Sequence, residues 1–395
     1  MKYTLIFSAI LFLSACAQTV EHHPLSTADY EAMEFADAGG VERWWGDALP
    51  PDLEAGLIEN AKILRKRFPD AVHATRDNAP VQSTLALSGG GANGAFGAGI
   101  LVGWSESGLR PEFEMVTGSS TGSIIAPFAF LGSEYDDTLL EIYSSITRDD
   151  IYQPKVLTGL LSGSALADTA SLQKQIEKYV TQELVTAIAV EYKKNRSLFI
   201  VTTHFDAMRP MIWNIGAIAA QGGTDSRDLI RKVILASAAI PIMFPPVPIE
   251  WEENGKRFTE LHVDGGVTRN VFAYPAQISI KEIEKIQGLT FRRKIFVIQN
   301  GNTQLRYEPA KTGVMSIAAR AVKGLLQNKG NADVERIYYI TQRDGVAFNM
   351  IEIPNSFVAD GATDFDPDYI AKLLALGRAT GKRGDFWHDK PPSER

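Results

Sequence analysis

The run Leu85-Ala86-Leu87-Ser88-Gly89-Gly90-Gly91-Ala92-Asn93-Gly94 constrains this chain most. A buried strand that feeds consecutive glycines must turn sharply, and the turn leaves backbone N–H groups free to grip an anion. Twenty-four residues after Gly94 begins Gly118-Ser119-Ser120-Thr121-Gly122. This is the G-x-S-x-G spacing that holds a serine on a strained strand-to-helix turn with its hydroxyl outward. A phosphate cradle has no need of that serine. Acyl transfer needs both parts, a nucleophile for the carbonyl and donors for the oxyanion that forms.

Between these motifs and beyond them the chain alternates strand and helix, as a largely parallel α/β sheet requires. Strands are predicted at 84–88, 113–117, 198–203 and 294–299, and helices at 92–105, 121–131, 171–192 and 226–239. The Asn254-Gly255 turn joins 247–251 to 257–263 as a hairpin. Apolar positions Leu53, Leu57, Ile58, Ala61 and Leu64 recur at helical spacing, so 51–68 reads as a helix packed on the main domain. Trp44 and Trp45 read as packing residues.

Further motifs follow in order. Ser237-Ala238-Ala239-Ile240-Pro241 runs into Phe244-Pro245-Pro246, and Val263-Asp264-Gly265-Gly266-Val267 sets an aspartate at a strand end before two glycines that permit a tight turn. Together with the glycine turn and the Ser120 motif, these elements make residues 83–280 resemble the patatin-like phospholipase family. The resemblance implies a three-layer α/β fold, a mostly parallel central sheet flanked by helices. It implies that Ser120 is the nucleophile and Asp264 its general base in a two-residue pair, with Gly89, Gly90, Gly91 and Ala92 lining the oxyanion hole. Gly94, Gly118, Gly122, Gly265 and Gly266 are the other motif positions. The family's glycine turn usually carries a basic residue before its final glycine; here that position is Asn93. A lipid or phospholipid substrate and an acyl-enzyme are implied, with no cofactor and no metal. Partial burial is expected to raise the Asp264 pKa, since an ordinary carboxylate is a feeble base at neutral pH.

Other readings compete. A conventional triad would draw on His388, which follows Asp264 in the order such triads permit. His262, two residues before Asp264, points to the same side of its strand and reads as solvent-facing. His204 beside Asp206 reads as a structural hydrogen bond. Gly89-x-Gly91-x-x-Gly94 with Glu114 twenty residues on also fits a dinucleotide site, with the acid on a ribose. A degenerate domain that binds lipid without cleaving it is a third reading.

The chain begins Met1-Lys2, then an apolar stretch from Tyr3 to Leu13, then Leu13-Ser14-Ala15-Cys16, and Cys16 is its sole cysteine. This resembles a bacterial lipoprotein signal, which implies removal of 1–15, lipid on the Cys16 thiol and attachment to the cell envelope. Ala17 after the cysteine, rather than aspartate, implies by the same resemblance the outer over the inner membrane. Residues 16–82 are then a lipidated tether and helical extension, with His22-His23 as solvated linker, 83–280 the catalytic domain, and 281–395 strands and helices that complete it. A net charge of −7 gives no reason to expect nucleic acid. Within this acidic chain, Pro309 to Ala332 holds no acid, while Lys311, Arg320, Lys323 and Lys329 accompany Val314, Ile317, Ala318, Ala321 and Leu325. That segment reads as a basic amphipathic helix, with a surface helix as the plainer account and anionic lipid as the alternative. Residues 156–167 read as an apolar cover or a connector.

Overall fold

A computed structural model of the protein describes residues 22–24, 26, 27, 30, 42–151, 169–253, 256–304, 307, 309, 311–357 and 365–395. Residues 1–15, Cys16, the segment 156–167 and the Asn254-Gly255 turn lie outside these.

The apolar, β-branched runs form one mixed sheet. In chain order its strands are β1 (Arg43–Trp45), β2 (Val81–Leu87), β3 (Met115–Ser119), β4 (Ser197–His204), β5 (Arg209–Asn214), β6 (Val247–Glu253), β7 (Lys256–Asp264), β8 (Arg292–Gln299) and β9 (Ala347–Glu352). Across the sheet the order is β1-β5-β4-β3-β2-β8-β9, and β7 pairs with both β4 and β6. Strands β4, β3, β2, β8 and β9 are mutually parallel, while β5, β7, β6 and β1 join antiparallel. Parallel strands need crossovers that cover the sheet faces. Here the helices supply them, so the expected α/β class with a mostly parallel central sheet flanked by helices holds.

The helices are α1 (Leu53–Arg67), α2 (Gly94–Glu106), α3 (Thr121–Leu131), α4 (Asp136–Ser145), α5 (Ala170–Tyr179), α6 (Gln182–Lys193), α7 (Ile215–Gln221), α8 (Gly223–Ser237), α9 (Ile280–Gln287), α10 (Val314–Asp344) and α11 (Pro367–Arg383). One expected helix, 171–192, is two. It breaks at Val180, and Thr181 starts the next helix by accepting the Leu184 N–H on its hydroxyl at 3.3 Å. Helix α2 begins at the glycine turn and is apolar over most of its surface, because α11 and α4 cover it from outside. Trp104 on α2 meets Phe113, Phe296, Phe386 and Trp387, a ring cluster that ties α2 to β8 and to the C-terminal segment. As expected, α1 packs on the domain, with Ala61 and Leu64 against Leu289 and Phe291, and Trp44 is buried edge-on to Phe199.

Strand β4 acts as a ruler for the site. Residues Ser197 to Val201 pair with β3, and from Thr202 to His204 the same edge pairs with β7, which runs the opposite way. The C-terminal ends of β3 and β7 therefore meet head to head. Ser119 lies opposite Val201 and Asp264 opposite Thr202, positions about 3.3 Å apart along one strand.

Candidate active site

Ser120 sits at the junction of β3 and α3 with φ 53° and ψ −127°, a left-handed backbone that a β-carbon disfavours. The turn is held by side chains. Ser120 N–H donates to Ser237 Oγ at 3.0 Å, and Ser237 Oγ–H donates to the Val201 carbonyl at 2.7 Å. Ser123 Oγ–H donates to the Ser120 carbonyl at 2.6 Å. The first turn of α3 opens at Ser120, so its positive end lies beside the hydroxyl.

Asp264 arrives from β7. Its N–H donates to the Ala239 carbonyl at 2.9 Å and its carbonyl accepts from Thr203 Oγ1 at 2.9 Å, so the backbone is fixed on both sides. Gly265 then passes close against the paired ends of β3 and β4; a β-carbon there would overlap the Val201 carbonyl and crowd the Ser119 hydroxyl. The glycine is thus a requirement of the head-to-head junction. Asp264 Oδ1 accepts the Gly266 N–H at 2.7 Å. Oδ2 is buried and lacks a partner at full hydrogen-bond geometry. The Ser120 hydroxyl is near enough to favour the charged carboxylate, an unfinished contact of the kind that tightens on substrate binding. Burial pushes the Asp264 carboxyl up to about 7, against the Ser120 hydroxyl and the Gly266 amide, which hold it down.

The glycine turn faces Ser120 across a close contact: a β-carbon on Gly89 would lie 2.9 Å from Ser120 Cβ. Gly89 N–H donates to the Asn270 carbonyl at 3.0 Å. This corrects its expected place among the oxyanion donors, because a committed N–H has nothing left to give. Among the described residues no hydrogen bond engages the N–H groups of Gly90, Gly91 or Ala92, and Gly91 adopts φ 57°. The turn is clamped by Asn300 at the end of β8. Asn300 Nδ2 donates to the Ser88 carbonyl at 2.9 Å, Oδ1 accepts the Gly97 N–H at 3.1 Å, and its own N–H donates to Ser88 Oγ at 2.7 Å. Asn270 in turn donates its N–H to Asp333 Oδ2 at 2.8 Å, which links the turn to α10. Asn93 is no bare substitute for a cation: its Oδ1 accepts Tyr369 Oη–H from α11 at 2.7 Å.

Ser237, Asn270, Asn300 and Asp333 were not legible as site residues. Ser237 stood inside a motif without an assigned task, and Asn300 was signalled only by Asn-Gly following the buried strand predicted at 294–299.

The rival side chains are elsewhere or occupied. His388 forms a bridge with Met350 on the outer edge of β9, four strand spacings or about 19 Å from β3. It cannot reach Ser120. His262 is fully buried, which corrects its expected solvent exposure. Its Nε2 bonds Glu260 Oε2 at 3.1 Å and its Nδ1 bonds Thr202 Oγ1 at 2.9 Å, with Trp213 Nε1–H donating to the same hydroxyl at 2.8 Å. Both ring nitrogens are spent. Burial lowers the His262 pKa, and although burial opposes it, Arg43 at 2.5 Å and His262 hold Glu260 down to about 2. His204 does not bond Asp206; its Nδ1 accepts the Ala207 N–H at 3.2 Å, and Asp206 pairs with His22 at 3.1 Å. His23 is also docked, its carbonyl accepting the Thr259 N–H at 3.0 Å, so the expected solvated linker touches the domain here. Glu114 precedes β3, at the opposite end of the sheet from the glycine turn, and binds Arg67 at 2.5 Å. The dinucleotide reading loses its ribose acid.

Residues 85–276 match the family model described as Patatin-like phospholipase. Over 157 residues the chain is 29% identical to the cUMP-AMP-activated phospholipase of Escherichia coli, a match that covers 39% of this chain and 44% of that protein. The match thus spans less than half of the relative's length. Among solved structures, VipD from Legionella pneumophila aligns over 76% of this chain and 66% of its own, at 13% identity and a TM-score of 0.32. The fold, the order of its motifs and the family match together support a patatin-like phospholipase domain over residues 85–276.

Proposed function

We propose that the protein is a serine acyl hydrolase that cleaves ester bonds of phospholipids or related lipids through Ser120 and Asp264. The observation that carries this reading is the head-to-head meeting of β3 and β7, which sets a buried carboxyl beside a serine on a left-handed turn.

The chemistry follows from those residues. Asp264 takes the Ser120 proton as the hydroxyl attacks the ester carbonyl, a task suited to a carboxylate with a pKa near neutrality. Free N–H groups at Gly90, Gly91 and Ala92 receive the oxyanion, each donor contributing about 3 kcal/mol of transition-state stabilisation. The protonated Asp264 then returns its proton to the departing alcohol, leaving an acyl ester on Ser120. Water, activated by the same carboxylate, releases the fatty acid and restores the serine.

The N-terminal signal resemblance adds a place of action: lipid on Cys16 and attachment to the outer membrane. Incubating the protein with vesicles of defined phospholipids and measuring released fatty acid by mass spectrometry tests the activity. Release by the wild-type chain and none by Ser120→Ala is expected. Vesicle association without release, and without fluorophosphonate capture of Ser120, would favour a lipid-binding domain instead.

A further inference from the structure

Helix α10 carries a surface that the reaction does not use. Its C-terminal half packs on the domain, with Val334 and Ile337 buried, but Val314, Ile317 and Leu325 in its first half are 81%, 54% and 70% exposed. Spaced with Ala321 at three and four residues, they form one apolar stripe. The helix from Val314 to Ala332 holds no acid in a chain of net charge −7. Lys329, which pairs with Asp333 at 2.7 Å, borders the stripe on one edge and Arg320 borders it on the other, with Lys323 on the far side of the helix.

The stripe adjoins the site. One residue after Leu325, Leu326 reaches inward, and a β-carbon on Gly266 would lie 3.1 Å from its Cδ2. Gly330, a turn further on, lies so close to Asn270 that a β-carbon there would be 3.1 Å from Oδ1. Thus one face of α10 borders the turn after Asp264 and the next faces solvent.

We infer that the first half of α10 is an interfacial docking helix that lays its Val314–Ile317–Leu325 stripe into an anionic lipid surface and brings the mouth of the site onto the bilayer. The inference rests on the lipid-hydrolase reading and names how that site meets its substrate. Charge selects the occupant. An apolar stripe flanked by cations and devoid of acids suits anionic headgroups, whereas a second copy would set two basic faces against each other.

Because Cys16 is the sole cysteine, Cys16→Ser combined with Leu325→Cys gives a single labelling position, and Ala55→Cys on exposed α1 gives a control. With an environment-sensitive dye in a Ser120→Ala background, phosphatidylglycerol vesicles should blue-shift the dye at 325 and brominated lipid should quench it. Neither should occur at 55, and phosphatidylcholine vesicles should act at 325 at least about tenfold more weakly. A shift at 325 that follows protein concentration without vesicles would indicate a second copy and overturn the proposal.

Ile317→Glu with Leu325→Glu should lower hydrolysis of phosphatidylglycerol vesicles by about tenfold or more while changing hydrolysis of a monomeric short-chain ester by less than about twofold. Equal losses on both substrates would overturn the docking role. If wild type cleaves the monomeric ester but the dye at 325 stays silent, docking fails and the hydrolase reading stands. If the dye responds but wild type cleaves neither substrate, docking stands and the hydrolase reading fails.

Discussion

Ser237 Oγ accepts the Ser120 amide proton at 3.0 Å and hands its own to the Val201 carbonyl at 2.7 Å. The hydroxyl therefore braces the strained turn against β4, the strand whose next residue pairs with Asp264. Ser237→Ala leaves a buried N–H and a buried carbonyl without that partner. A loss of about 1–3 kcal/mol in urea unfolding is expected, with slower fluorophosphonate capture of Ser120. Capture at the wild-type rate would remove Ser237 from the positioning role.

Ser120→Ala removes one oxygen from a residue that is already at φ 53°. Ester hydrolysis should fall by about a thousandfold or more, while the far-ultraviolet circular dichroism spectrum stays unchanged. Near-wild-type turnover would end the assignment of the nucleophile.

The Asp264 carboxyl, at about 7, makes kcat/KM depend on pH in a stated direction. The base is the ionised form, so kcat/KM should climb about tenfold per pH unit below 7 and level off above it. Stability runs the other way. The pKa is raised from 3.8, so between that value and about 7 the folded state holds a proton that the unfolded chain has released. This favours the fold below the unfolded value and is lost as pH rises through 7, at on the order of 1 kcal/mol per unit. Asp264→Asn should abolish hydrolysis and raise Tm relative to wild type more at pH 8 than at pH 4. A uniform Tm difference would refute the buried-carboxyl account.

Asn300→Ala deletes the bonds to the Ser88 carbonyl and the Gly97 N–H. Destabilisation of about 2 kcal/mol is expected. Because the N–H groups of Gly90, Gly91 and Ala92 are then less well aimed, kcat should fall while KM for a monomeric ester changes little. Kinetics on the purified variant, with unfolding followed in parallel, separate the two effects.

Cys16→Ser should abolish incorporation of a clickable fatty acid and release the protein from membranes of a Gram-negative host. The thiol is the proposed attachment atom. Labelling of the serine variant would count against the signal reading.

Much of this was legible because it is local. The glycine turn before α2 and the serine turn before α3 are set by residues within a few positions of one another, and both appear where their spacing put them. Asp264 was legible as a motif and, through the family resemblance, as the partner of Ser120, but the strand arrangement that brings them together was not, since it depends on β7 joining the edge of β4 just where β3 stops. His262 was misread for a related reason. Strand alternation gives the side a residue faces, whereas Thr202 and Trp213, which pack against it, come from strands far away in the sequence. The break at Val180 was hidden because helical periodicity continues on both sides of the Thr181 cap.

The clamp on the glycine turn has a consequence in time. Along the chain the proposed nucleophile stands at residue 120 and its proposed base at 264, but Asn300, Asp333 and Tyr369, which steady the turn and its neighbours, follow both. A nascent chain thus owns its serine and carboxylate well before it owns a settled place for the oxyanion. On the proposed hydrolase reading, a chain cut short before Asn300 would carry both side chains and still lack the clamp on the turn that receives the oxyanion.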